Sequence, residues 1–211
     1  MLLIDNIETL KIIFIIIVPI IVILLLIILL YKPIEKAIYK KKFRQLYGRE
    51  VYKIALYQDY YLLNLFHFKY SDTTVAIIDH ILFGDKYIYI IIDSYYEGSI
   101  SGSRDDKSFV LFSLKGNKQY IDNPFNDLRG LIKRLSILTG TDESIFVGIS
   151  LVNKECAINI KSSDEDYYII QVNKLKKLIA AIESRDVAKI NQKQLQEQVS
   201  DLNRGNLKGK I

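Results

Sequence analysis

The apolar positions of this chain follow three different periods. From Ile12 to Tyr31 (IIFIIIVPIIVILLLIILLY) twenty residues pass without a charge. At about 1.5 Å per residue they reach about 30 Å, the thickness of the bilayer hydrocarbon, and predict a transmembrane helix. Pro19 within it is tolerated in such helices. The apolar run is too long for a cleaved signal peptide, and no small-residue cleavage site follows. Between Lys36 and Tyr57 the period becomes helical, with Ile38, Phe43, Leu46, Val51, Ile54 and Ala55 recurring on one stripe and Gly48 weakening it. Beyond Tyr60 short β-type runs take over: YYLLNLFHFKY, TVAII ending in Asp79-His80, YIYIIID, SFVLFSL, QYIDN, SIFVGISLV, ECAINI and YYIIQV. YIYIIID is apolar on both faces, as a buried central strand is. Gly84-Asp85 and Lys115-Gly116-Asn117-Lys118 read as turns, and Asn123-Pro124 opens a helix running to Thr139. Leu128, Leu131, Ile132, Leu135 and Leu138 share one face of that helix, and Gly140 closes it. Another helix starts near Asn173. The tail from Glu183 is polar, with a sparse set of Val187, Ile190, Leu195, Val199 and Leu202. It predicts a marginal helix in need of a partner and a disordered end after Gly205. The alternation of strands and helices predicts an α/β fold, a mixed sheet flanked by helices.

Charge gives the first span a direction. Lys32, Lys36, Lys40, Lys41, Lys42 and Arg44 follow it, whereas Asp5, Glu8 and Lys11 precede it. Positive residues stay on the cytoplasmic side, so the N-terminus is expected outside and the rest cytoplasmic at the cell membrane. The chain then divides into a short extracytoplasmic start (1–11), the span (12–31), a basic juxtamembrane segment (32–46), a cytoplasmic domain (47–182) and a polar tail (183–211). The basic segment also suits anionic head groups, at about 1 kcal/mol per residue near the surface. Much of the net charge of +5 lies there, so the balance says little about nucleic acid. One cysteine, Cys156, excludes an intramolecular disulfide. No phosphate-binding glycine loop, Cys/His metal spacing or nucleophile elbow is present.

The candidate chemistry lies in the stretch TTVAIIDHILFGDKYIYIIIDSYYEGSISG. Asp79 and Asp93 stand where two strands leave their apolar runs, and strand-end carboxylates brought together suit hard divalent cations; the plainer reading is two turn residues. His80 follows Asp79 in the strand and is expected to face the other way, as a packing residue or one that supports the site's ligands rather than as a catalytic base. His67, between two phenylalanines, is expected to pack as well. Ile78-Asp79-His80-Ile81, the run Tyr96 to Gly102 (YEGSISG) and Asn123-Pro124 with its helix resemble the NERD domain, a nuclease-related domain of the PD-(D/E)xK class often found on membrane-anchored bacterial proteins. The resemblance covers about residues 47–160 and implies a restriction-endonuclease-like sheet behind one N-terminal transmembrane helix. It implies a catalytic set of Glu50, Asp79 and Asp93, a metal at Asp79 and Asp93, and Mg²⁺ or Mn²⁺ as cofactor. The family's E-x-K departs here: its two positions fall on Ile92 and Ser94, leaving no lysine, and Asp93 comes one residue late. That offset turns Asp93 to the wrong face unless a β-bulge restores it. The family's glutamine near Asn123-Pro124 falls on Asp127. Lys107 or Lys133 would be migrated lysines, though nothing singles out either. Three readings stay open: a membrane-anchored domain with a decayed nuclease site that binds nucleic acid or protein, an active Mg²⁺/Mn²⁺ nuclease, or a scaffold that meets only proteins. In each, residues 183–204 are a candidate for partner docking or self-association.

Overall fold

The computed structural model describes residues 2–70, 74–161 and 166–207, with side chains from Phe14 onward except Gln192. The acidic loop at 162–165 and the last four residues lie outside the described residues. Residues 1–42 and 43–211 form two compact units. The first helix, α1 (Leu2–Gln58), runs without a break through Pro19 and Pro33. Among the described residues it alone is long and apolar enough, by length and composition, to cross a membrane. Its side chains from Phe14 to Ile38 are exposed, the arrangement a lipid environment rewards and water does not.

The helical stripe of α1 buries Val51, Ile54 and Ala55, as the spacing predicts, together with Tyr47, which the stripe did not include; Phe43 and Leu46 are half-buried and Ile38 is exposed. Strands β1 (Tyr61–Lys69), β2 (Val75–Phe83), β3 (Ile88–Asp93), β4 (Gly98–Ser103), β5 (Ser108–Ser113) and β6 (Lys118–Asp122) follow. Helix α2 (Pro124–Thr139) comes next, then β7 (Phe146–Val152), β8 (Ala157–Lys161), β9 (Tyr167–Gln171), α3 (Leu175–Glu183) and α4 (Gln192–Gly205). The single mixed sheet expected from the sequence is two mixed sheets. One has the order β1-β2-β3-β7-β9, antiparallel through β3 and parallel from β3 to β9; the other has the order β6-β5-β4-β8. Gly98 explains where the chain leaves the first sheet for the second. It has φ 136°, and a Cβ there would lie 1.9 Å from the carbonyl oxygen of Phe112, so only glycine fits.

Helix α2 is capped at both ends by the residues the sequence indicated. The Asn123 side chain accepts from the Phe125 N–H, and Gly140 adopts the left-handed conformation at φ 64°. Its apolar face covers the first sheet through Leu128, Leu131, Ile132 and Leu135, joined by Ile78, Ile81, Ile88 and Ile90. Leu138, expected on that face in the last turn of the helix, is instead exposed. Helix α4 packs on the same core: Leu202 is buried, and Leu195, Val199 and Ile190 lie against it. The tail helix expected to need a partner thus finds its partner within the chain. Gln198 donates to Thr141 at 2.8 Å, and Leu207 N–H donates to the His67 carbonyl on the edge of β1. The opposite face of the sheet carries Leu82, Tyr89, Ile91 and Ile149, all buried. There Glu183 of α3 accepts from the Tyr89 hydroxyl at 2.7 Å.

Candidate functional site

The strand alternation that governs β1 and β2 breaks at one point, and the break builds the site. Leu63 and Phe66, three residues apart, both face the α2 core, as do Ile78 and Ile81 on the neighbouring strand. A regular strand would send each such pair to opposite faces. The register is continuous on both sides of the break, Asn64 opposite His80 and Phe66 opposite Ile78, but Leu65 opposite Asp79 makes no ladder pair. Leu65 has φ 54°, a left-handed conformation. The two strands therefore skip one step together, and Asp79 and His80 both turn away from the α2 core. On β3 the regular alternation puts Ile88, Ile90 and Ile92 into that core and leaves Asp93 on the other face.

Two sequence expectations are corrected by this break. Asp93 does share a face with Asp79, and the irregularity that achieves it lies in β1 and β2 rather than as a bulge in β3. His80 does not face away from the carboxylates: its Nε2 lies 3.1 Å from Asp93 Oδ2, and its Nδ1 lies 2.6 Å from Asn64 Oδ1. Asp79 Oδ2 accepts the Asp93 backbone N–H at 2.9 Å. The network is closed to solvent, with the Asp79, His80 and Asp93 side chains 10%, 6% and 0% exposed.

Helix α1 supplies the lid. The Tyr47 hydroxyl donates to the Ser94 carbonyl at 3.3 Å. Gly48 lets the helix approach His80, since a Cβ there would stand 3.2 Å from His80 Cε1. The glycine that weakens the helical pattern in the sequence is thus where helix and imidazole meet. From the same helix Arg44 brings its Nε to 3.7 Å from Asp79 Oδ1, with its own side chain 68% exposed. Phe43 packs its ring 5.8 Å from that of Tyr95. Arg44, Tyr47, Asn64 and His80 were not legible as site residues, because each depends on the helix approach or on the break at Leu65.

The remaining candidates fall elsewhere. Glu50 points away from this network, pairs with Lys53 at 2.6 Å, and lines a cavity with Tyr57, Val172, Asn173 and Lys176. Ile92, in the position of the family's carboxylate, packs in the α2 core, and Ser94, in the lysine position, accepts from the Tyr47 hydroxyl through its carbonyl. Lys107, Lys133 and Asp127 are exposed, the last in the first turn of α2. His67 is half-buried on β1, as expected.

His80 bridges the network, its Nδ1 on Asn64 Oδ1 and its Nε2 on Asp93 Oδ2. Burial pushes the Asp93 carboxyl up from its ordinary value, opposed by the hydrogen bond from His80. Asp79 faces Arg44. Asp93 Oδ1 is buried with no hydrogen-bond partner and is the oxygen this set could offer a cation. Magnesium keeps several waters and close to six oxygens, which needs open space and surplus negative charge. Among the described residues no group of three or more His, Cys, Asp or Glu side chains gathers as a metal cluster. Enclosed as they are, with Asp79 and Asp93 side chains 10% and 0% exposed, these carboxylates leave no open space for a hydrated dication.

A family model described as a nuclease-related domain, NERD, matches residues 40–153, more than half of the chain. No curated protein and no solved structure matches it. The matched segment begins on α1 just before Arg44 and ends after β7; β8, β9, α3 and α4 lie beyond it.

Proposed function

The chain belongs to the NERD, nuclease-related domain family, and from that premise we propose that it is a membrane-anchored NERD domain with an impaired nuclease centre, serving to bind nucleic acid at the membrane. One observation carries this reading: the two aspartates are spent on internal hydrogen bonds. Asp93 is held by His80, Asp79 by the Asp93 backbone, and neither side chain is open to solvent beyond a tenth of its surface. A hydrolytic site of this class presents carboxylates and a positive group to a phosphate and a water. Losing one preorganised charged group alone costs about 10²–10³ in rate. The exposed charge at this site is Arg44, which a phosphate meets before it meets either carboxylate. The apolar helix serves as the anchor, with the N-terminus outside and the domain cytoplasmic, as the basic residues after the span require.

The alternative, an active Mg²⁺/Mn²⁺ nuclease using Glu50, Asp79 and Asp93, draws support from the unpartnered Asp93 Oδ1. It requires the helix bearing Glu50 to turn and His80 to release Asp93. Calorimetric titration of Mn²⁺ into the full chain in nanodiscs separates the two. Absence of binding up to millimolar metal is the expected result. Saturable binding that vanishes in Asp79→Ala would overturn the impaired-site reading.

A further inference from the structure

The second sheet presents an outer face that neither the nuclease-like centre nor the core accounts for. We infer that this face is a stacking platform for single-stranded nucleic acid, an inference that rests on the nucleic-acid reading above and assigns it a surface. The register defines the rows. Ser99, Phe112, Lys118 and Ala157 lie side by side across the four strands, and Ser101, Val110, Tyr120 and Asn159 form the next row. Lys161 opposite Ser103 extends the face beyond them. The alternate residues turn inward: Ile100 and Cys156 are fully buried, with Leu111, Ile121, Ile158 and Ile160 packed against them. Phe112 is 43% and Tyr120 65% exposed, large rings on a sheet whose other side already holds the core.

The chemistry of the face selects the ligand. Phe112 and Tyr120 are diagonal neighbours on adjacent strands, about 7–8 Å apart at their backbones, so each ring can take its own base. Base stacking on aromatic rings tolerates sequence because every base has a π-face. Ser99 beside Phe112 and Ala157 beyond it are small and keep the floor next to the ring low, while Ser99, Ser101 and Asn159 offer donors and acceptors to base edges and sugars. Lys118 on β6 and Lys161 on β8 flank these rows at opposite edges of the sheet. The Lys118 ammonium lies 5.1 Å from the Tyr120 ring centroid, so charge and ring are presented together. Asp122, opposite Ser108, is the acidic side chain at the far end of β6. A lipid surface would ask for a continuous apolar patch, whereas Ser99, Ser101 and Asn159 make the β4 and β8 half of this face polar.

The experiment is fluorescence anisotropy of labelled oligothymidylate and oligouridylate of about ten nucleotides against the full chain in nanodiscs of neutral lipid, over a range of salt. Binding by basic residues elsewhere is common to all variants. Phe112→Ala and Tyr120→Ala are each expected to weaken binding about five-fold or more, with Tyr120→Phe retaining wild-type affinity. Lys118→Ala with Lys161→Ala is expected to lower the salt slope by about 0.7 per lysine lost. All these side chains are outside the core, so thermal unfolding should be unchanged. Should a ring variant unfold, Lys118→Glu with Lys161→Glu carries the same test. Oligonucleotide binding that survives both ring removal and charge reversal would overturn this surface while leaving the nucleic-acid reading intact. No binding of any oligonucleotide would overturn both. Variant-sensitive binding to phosphatidylserine vesicles alone would give the face to lipid and overturn the inference.

Discussion

At the scale of single residues, His80 holds the network together. It is buried between Asn64 and Asp93, and its removal leaves a buried carboxyl without its partner. His80→Ala is therefore expected to destabilise the domain by about 3 kcal/mol, the lower end of the range for breaking a buried pair, because Asp93 can take up a proton. Urea unfolding measures it, and His80→Ala combined with Asp93→Asn should cost clearly less than the sum of the single changes. Gly48 gives a second, counter-intuitive expectation. Alanine is the better helix former by about 1 kcal/mol, yet its Cβ would press on an imidazole pinned at both nitrogens. Gly48→Ala should lower the unfolding midpoint; a raised midpoint would mean that the ring can move aside. The aspartates themselves were legible in the sequence, since acids stand out against apolar runs, although only Asp93 ends its strand and Asp79, expected at a strand end, falls in the middle of β2 because the apolar run continues through Ile81-Leu82-Phe83. The partners of those aspartates were not, because period-2 alternation assigns His80 to the wrong face unless the left-handed Leu65 is known.

At the scale of elements, the order of strands and helices was readable almost throughout, since β-branched runs, Asn123-Pro124 and Gly140 mark their boundaries chemically. The division into two sheets was not, because it turns on the tight passage at Gly98 rather than on any periodicity. Helix α4 shows the limit of composition. Its few apolar residues suggested an unpartnered helix, but a narrow stripe suffices against a groove already shaped by α2 and β1. Leu202 carries much of that contact, and Leu202→Ala should cost about 2–5 kcal/mol in urea unfolding. A loss near zero would mean that α4 detaches in solution. Glu183 links α3 to β3, accepting from Tyr89 and from the Lys86 N–H. Burial raises its carboxyl above the ordinary 4.5, with the Tyr89 hydrogen bond opposing. A raised folded-state value favours the protonated form, so this contribution is fully present below about pH 4.5 and declines as pH rises through the folded value. Over that window the stability difference between wild type and Glu183→Gln should shift in favour of the glutamine variant as pH increases.

At the scale of the whole molecule, a long apolar helix and a nuclease-related domain occur in one chain. The long apolar helix was the most legible feature of all, because its uncharged run of twenty residues matches the thickness of a bilayer. The family frame was legible too, in Ile78 to Ile81, the Tyr96 to Gly102 run and Asn123-Pro124. The proposed function rests on Asp79, His80 and Asp93 closing on one another. The most direct measurement is a cleavage assay with the full chain in nanodiscs, on single- and double-stranded DNA and RNA, with Mg²⁺ or Mn²⁺ and with binding followed in the same samples. The account predicts salt-sensitive binding without cleavage, unchanged by Asp79→Ala. Metal-dependent cleavage that Asp79→Ala abolishes would contradict it.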